Sequence, residues 1–230
     1  DDEGKNLVLR KIAGECEKDL KVFKGNLKKQ GYISEVKSVL SEFAQYGVDF
    51  ERLDDFMKEV PPESYLHYKL DDIRTIYEKF EEYLSEKYIT KEEMLDVLSD
   101  AVPYSDILKG SVVAMDGFTG FTPVQNRLIG ELFSVCEKVM ITVTMDGREN
   151  PYVYEHPYQI FALGKQMVTS LMKIAGEKKT EIEEPICLFE RPVYRFRDCS
   201  EMAFLETELF RYSGAKYNGS CESVSLHEVR

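Results

Sequence analysis

The sequence has few of the residues from which metal centres and disulfide frameworks are built. It contains five cysteines, three histidines and no tryptophan in 230 residues. The cysteines are Cys16, Cys136, Cys187, Cys199 and Cys221, and the histidines are His67, His156 and His227. The cysteine number is odd, no C-x-x-C pair occurs, and the histidines are scattered. We therefore predict neither a zinc site nor a disulfide framework, and we assign these residues structural roles.

Long apolar runs and an excess of positive charge are missing as well. No run of about 18 apolar residues occurs, and the first residues, DDEGKN, are acidic, which predicts neither a membrane span nor a signal peptide and favours the cytoplasm. The formal net charge is −12, with 17 basic against 25 acidic residues up to Gly110 and 13 against 17 after it. Because DNA binding depends on Lys and Arg neutralising phosphates, any DNA contact has to be local. Charge by itself favours a protein partner.

The first half of the chain has the periodicity of helices. The clearest helix is predicted over residues 71–84, where apolar residues recur at intervals of three and four. Gly47 is expected to end an earlier helix. Thr90 and Glu93 form the T-x-x-E capping box that begins a later one. These patterns predict an all-helical domain over residues 1–108.

The second half combines short strands with helices. Two apolar runs, residues 112–115 and 139–144, predict strands, and the first is expected to be a buried parallel strand. Between them, Thr122, Pro123 and Gln125 have the pattern of a helix start. Strand, helix and strand together predict a right-handed βαβ unit.

Residues 109–230 as a whole predict a partial α/β layer. Helices are predicted from about Pro157 to Ala175 and from near Ser200, and the closing SVSLHEVR alternates like the start of a strand. A strand that stops at the last residue indicates a piece of a longer chain. The predicted fold class is α/β, predominantly α, with the helical domain ahead of a partial parallel sheet.

Asp116 is the sharpest candidate for chemistry, because it follows a predicted buried strand. At that edge of an α/β sheet a carboxylate can reach a nucleotide-bound Mg²⁺. Motor ATPases require a group that positions or activates the attacking water, whereas the next residue here is Gly117, so we expect no ATP hydrolysis at this edge. The G-x-x-x-x-G-K-[ST] phosphate-binding loop is also missing. The alternative interpretation is that Asp116 only begins a turn with Gly117.

Neighbouring residues support weaker hypotheses. Asp146, after the second strand, would pair with Asp116 in a two-carboxylate metal site, although Asp-Gly is also a common turn. Phe118 and Phe121 would serve as platforms for bases or, as aromatics beside a buried strand more often do, as core.

Two segments are candidates for contact with DNA. In RPVYRFR, three arginines alternate with two aromatic residues, a mixture that suits a single strand. These residues are Arg191, Tyr194, Arg195, Phe196 and Arg197. A solvated edge or a contact between subunits is an equally good interpretation.

The second segment is a predicted basic helical stripe. Lys21, Lys24 and Lys28 are spaced three and four apart, but Glu17 and Asp19 dilute their charge. A charged helical face of this kind is usually only solvated.

Three stretches, taken together, resemble a known family. The most specific is KLDDIRTIYEKFEEYLSEKYITKEEMLDVL, at residues 69–98, followed by VVAMDGFTGFTP, at residues 112–123. The opening residues 7–48 and the closing FLETELFRY and SVSLHEVR stand in the expected order around it. The chain resembles the AddB family, the second subunit of bacterial AddAB-type ATP-dependent helicase/deoxyribonucleases.

The resemblance implies a decayed superfamily 1 helicase, of the P-loop type, fused to a nuclease. Asp116 would occupy the slot of the helicase magnesium aspartate, with Gly117 in place of the catalytic glutamate. The helical half would be the inserted domain, and residues 222–230 would open the next lobe. The phosphate-binding loop, the nuclease motif and four cysteines of an iron–sulfur cluster would lie outside this chain. ATP, Mg²⁺ and the cluster are therefore implied for the parent protein, and no cofactor is predicted for this fragment.

The resemblance also implies partners, namely the motor-nuclease subunit of the same complex and DNA, both single strand and fork, with no membrane. We predict a segment that does no catalysis alone, within a parent enzyme that processes double-strand breaks for recombinational repair. Its role would be to guide DNA and to contact the other subunit. The rival hypotheses are an acidic protein–protein interaction module and a small metal-dependent hydrolase using Asp116 and Asp146.

Overall fold

A computed structural model describes residues 2–27, 29–85, 88, 90–188, 194–211 and 213–228. The chain divides into two compact units. The first comprises residues 1–146 and 150–182, and the second comprises residues 147–149 and 183–230. The first unit is mostly helical with a small parallel sheet, as the sequence predicts.

Five α-helices and one 3-10 helix make up the helical half. They are α1 (Asp2–Cys16), α2 (Gln30–Tyr46), α3 (Phe50–Glu59), α4 (Tyr65–Ser85), α5 (Lys91–Ala101) and the 3-10 helix at Val102–Tyr104. Gly47 ends α2 in the left-handed region, at φ 62°, which suits a residue without a Cβ. The capping box at Thr90 and Glu93 is confirmed.

Helix α4 is longer than its apolar stripe predicts. It begins at Tyr65 because Ser64 supplies an earlier cap, and the His67 N–H donates to its Oγ at 3.1 Å. Helix α1 packs against α2 and α4, and α3 packs against α4. Their shared core includes Leu9, Ile12, Leu53 and Ile76, all nearly inaccessible to solvent.

A buried carboxylate ties α4 to the segment that follows α1. Asp72 is 1% exposed, and its Oδ1 accepts the N–H of Lys21 at 2.8 Å. Its Oδ2 accepts the N–H groups of Val22 and Phe23, at 2.7 and 2.8 Å. Three backbone donors of a non-helical segment are thus satisfied by one side chain inside an apolar core. An unpaired buried donor would cost about 1–3 kcal/mol, so this carboxylate stabilises the path of the chain.

The predicted strand–helix–strand unit is present. Strand β1 (Val112–Met115) pairs in parallel with β2 (Lys138–Ile141), and α6 (Pro123–Val135) connects them. Thr122 and Gln125 form the capping box that begins α6.

A second small core lies on one face of the sheet. Ile129 of α6 packs there with Met167 and Leu171 of α7 (Ala162–Lys178). Helix α7 begins later than the predicted Pro157, because residues 156–162 form successive turns. The predicted boundary between residues 1–108 and 109–230 stays a prediction.

The prediction that β1 is a buried strand is wrong. Its residues alternate between exposed and partly buried, and Val112 is 55% exposed. In the described part of the chain the sheet has two strands, and the helices α6 and α7 cover only one face. The other face, with Ala114 and Met140, is exposed. An apolar run therefore predicted the strand correctly but not its burial.

The second unit contains a 3-10 helix at Tyr194–Phe196 and the helix α8 (Ser200–Glu208). Glu201 of α8 is buried, and its Oε2 accepts the N–H of Glu222 at 2.9 Å. Its other oxygen accepts the N–H of Ser223. The strand predicted at the end of the chain is wrong for residues 223–228, which have no regular structure, because their backbone is held by this carboxylate instead of a neighbouring strand.

We expect Asp72→Asn to lower the free energy of unfolding of the chain by about 2–4 kcal/mol, because at least one backbone N–H would then face an NH₂ donor. Urea denaturation measures the change. The matched control is Asp71→Asn, whose carboxylate forms an exposed ion pair with Lys21 and should contribute less than about 1 kcal/mol. Equal losses in the two variants would contradict this role of Asp72.

Glu201 should make the second unit sensitive to acid. The Ser223 side chain, together with the N–H groups of Glu222 and Ser223, lowers the pKa of Glu201 although burial opposes this. A carboxyl with a lowered folded pKa stabilises the fold above its unfolded pKa, and this contribution is lost as the pH falls through the folded pKa. Hydrogen exchange at the 222 and 223 amides should therefore accelerate below the ordinary range of a glutamate. Unchanged protection there, or an equal loss in Glu201→Gln at neutral and acidic pH, would refute the mechanism.

Candidate functional site

Asp116 lies at the carboxyl edge of the parallel strand pair. It follows the last residue of β1 and is exposed. Thr142, directly after β2, donates its N–H to the Met115 carbonyl at 3.0 Å. Its hydroxyl donates to Asp116 Oδ1. The parallel register thus brings together two polar residues from the ends of neighbouring strands, which is the edge where α/β proteins bind ligands.

The next residue, Gly117, cannot act as a base. Its backbone has φ 80°, a conformation that L side chains rarely adopt, and it turns the chain away from β1. Both interpretations of Asp116 therefore fit the geometry: the residue stands at a sheet edge, and it also begins a turn with Gly117.

Asp146 differs from Asp116 in its surroundings. It is 8% exposed, whereas Asp116 is exposed. Across the described ranges, no group of three or more His, Cys, Asp or Glu residues could hold a metal ion. The hypothesis of a metal-dependent hydrolase built on these two carboxylates therefore gains no support.

The two phenylalanines of the turn have different environments. Phe121 packs against the second core, and Phe118 is 42% exposed. Their ring centroids are 5.0 Å apart. Phe121 is thus core, and Phe118 extends from it toward solvent as a supported aromatic surface.

The arginine–aromatic segment is an exposed turn of 3-10 helix in the second unit. The Arg197 guanidinium lies over the Tyr194 ring, 4.5 Å from its centroid, and Arg195 lies 5.4 Å from the centroid of Phe196. Tyr194 is 69% exposed. Arg191, which belongs to the same predicted group, lies outside the described residues.

The predicted basic helical stripe is wrong as a helix. Residues 21–27 form bends and turns between α1 and α2, because Asp72 holds the backbone of the segment. Lys21 is 3.0 Å from Asp71 Oδ2, and this hydrogen bond raises the pKa of Lys21. Lys24 is exposed, and Lys28 lies outside the described residues. The three lysines therefore do not share one helical face, and their contact with DNA stays a prediction.

Comparison with known proteins shows the family. The model described as "ADDB, N-terminal" matches residues 1–206. The chain belongs to the ADDB N-terminal family. It is 36% identical to the AddB subunit of the ATP-dependent helicase/deoxyribonuclease from Lachnoclostridium phytofermentans over 230 residues, and 34% identical to that from Thermoanaerobacter sp. (strain X514) over 226 residues. Each match covers 98% of this chain but only 20% or 19% of the relative, so the chain spans about one fifth of the length of these relatives.

The predicted resemblance to the AddB family is thereby confirmed. The described residues of this family member do not fit the cofactors that the resemblance implies for the parent. A nucleotide-bound Mg²⁺ would find one carboxylate at the sheet edge, already bonded to Thr142. The cysteines are free and differ in burial, from Cys16 in the core to the exposed Cys187 and Cys221. They form no metal-binding group within the described ranges.

Sequence reasoning missed three residues that organise this AddB-family segment. Thr142 was predicted as part of the second strand, although the strand ends at Ile141 and leaves Thr142 to bond Asp116. Asp72 and Glu201 were counted only as surface charge. Aligning the two strands in parallel register would have found Thr142. The partners of Asp72 lie about 50 residues away, and no local pattern indicates them.

None of the helices in the described residues is long and apolar enough to cross a bilayer.

The turn after β1 should tolerate a side chain poorly. Gly117→Ala is expected to lower the free energy of unfolding by about 1 kcal/mol, because an L residue at this φ is strained. The matched control is Gly176→Ala in α7, which should stabilise by about 0.5–1 kcal/mol. A new Cβ would meet open space at both positions, so thermal denaturation isolates the backbone effect. Stabilisation by both substitutions would mean that the left-handed turn is absent.

Proposed function

We propose that this chain is a non-catalytic, helicase-like segment of one subunit of an ATP-dependent helicase/nuclease. In the intact protein it guides DNA and contacts the partner subunit while broken DNA ends are processed for recombinational repair. One observation carries the proposal. The sheet edge that holds the metal-binding acid in helicases here carries Asp116 bonded to Thr142 and followed by Gly117.

The relatives support the setting of this role. Those at 36% and 34% identity are named as one subunit of an ATP-dependent helicase/deoxyribonuclease. That name implies a DNA substrate and a second subunit for those proteins, and we extend both to this chain. The parent protein is then a hydrolase. ATP, Mg²⁺ and the iron–sulfur cluster would bind to parts of the complex other than these residues.

Charge supports the division of labour within the segment. A net charge of −12 opposes general binding to the phosphate backbone. The same charge favours a basic surface on a protein partner, since complementary charges steer association. DNA contact is then confined to small local surfaces, of which Phe118 on its Phe121 support is one candidate.

Replacing Asp116 tests the absence of catalysis. In the intact two-subunit complex, Asp116→Ala should leave ATP hydrolysis unchanged, whereas loss of a working catalytic group would lower the rate by about 10²-fold or more. The control is Asp106→Ala, an exposed carboxylate that pairs only locally with Lys109. A loss of about 10²-fold specific to Asp116→Ala would show that this edge hydrolyses ATP, and the proposal would fail.

A further inference from the structure

The segment Tyr194–Arg197 has the geometry of a small stacking surface. Its two aromatic rings lie next to each other along one turn of 3-10 helix, and each has a guanidinium over it. Tyr194, Arg195 and Arg197 are exposed, and Phe196 is partly buried. Four planar groups are therefore presented together without burial in a core.

We propose that these four residues bind single-stranded nucleic acid by stacking its bases. This inference rests on the proposed function, and it names the surface that contacts the strand. Aromatic rings and guanidinium planes are the groups on which unpaired bases stack, and arginine adds a cation–π contribution. Bases in a duplex have their faces covered by their neighbours, so the surface selects single strands.

The charges around the surface also fit a phosphate backbone. Among the described residues, no carboxylate lies within ion-pair distance of Arg195. Arg197 pairs with Asp198 at 3.4 Å, and the Asp198 side chain is 91% exposed. An exposed pair of this kind is weak and is screened by salt. A phosphate can therefore replace Asp198 at the Arg197 guanidinium at small cost.

The local character of the surface agrees with the acidic chain. A path along a longer strand would need a row of cations, which a chain of net charge −12 does not offer. Two rings and two guanidinium groups suffice for a contact with a few nucleotides. The nucleic acid would be held here by stacking, with charge as the smaller contribution.

Photochemical cross-linking in the intact two-subunit complex tests the site directly. The probe is an oligothymidine strand with a single iododeoxyuridine, a base that cross-links to aromatic side chains on which it stacks. Peptide mapping should place the cross-link on Tyr194 or Phe196, and Tyr194→Leu with Phe196→Leu should abolish it. Cross-links elsewhere in this chain, with none on Tyr194–Arg197, would overturn this site but leave the proposed function standing. A strand that cross-links to no residue of this chain would overturn both.

Binding measurements separate stacking from charge. Tyr194→Leu should weaken binding of the strand by between about 5-fold and 150-fold, with the salt dependence unchanged. Arg195→Ala should reduce the slope of log affinity against log salt by about 0.7. Arg195→Lys should keep that slope and lose affinity, because lysine retains the charge but not the plane.

Lys216→Ala is the matched control, since it removes one exposed positive charge from the same unit. It should leave both the affinity and the slope unchanged. A slope that falls equally in Lys216→Ala and Arg195→Ala would reduce the effect to general charge, and the proposal would fail. Far-ultraviolet circular dichroism of each complex confirms that the variants are folded.

Discussion

The parallel pairing of β1 and β2 is the constraint on which the functional argument depends. Because the strands run in the same direction, their carboxyl ends meet at one edge, and Asp116 and Thr142 come into contact from 26 positions apart. An antiparallel pair would have placed these residues at opposite ends. The helix α6 makes this arrangement feasible, since parallel strands need a crossover of a dozen or more residues.

The acidic residues that the structure buries bind backbone N–H groups. Asp72 accepts three such groups and Glu201 accepts two. In each case the carboxylate satisfies donors of a segment that has no regular secondary structure. A composition rich in Asp and Glu therefore serves the fold as well as the surface. This use also explains why so many acidic residues yield no metal-binding group in the described ranges.

Local patterns in the sequence predicted local structure well. The capping boxes at Thr90 and Thr122 and the end of α2 at Gly47 depend on residues within one helical turn of each other. The predictions that failed depended on distant partners. Burial of β1 requires a covered second face, and the terminal strand requires a neighbour. The lysine stripe required a helix where Asp72 imposes another path.

The candidate sites followed the same rule. Residue type and position predicted Asp116 at a sheet edge, and mixed rings and guanidinium groups predicted Tyr194–Arg197 as a surface. Neither Thr142 as the partner of Asp116 nor the placement of each arginine over a ring could be predicted, because both depend on three-dimensional register. Family membership then adds what geometry lacks, namely the setting of a helicase/deoxyribonuclease for the relatives.

Geometry in turn limits what the family name implies for this segment. Phosphoryl transfer needs a phosphate-binding loop, a metal-holding acid and a group that positions water. Of these three requirements, the chain offers one acid, and that acid is followed by a glycine. The chemistry of the parent complex must on this proposal come from other parts of it. What remains for these residues is to hold surfaces in fixed positions, and a rigid helical core bound by Asp72 to its connecting segment is suited to that task.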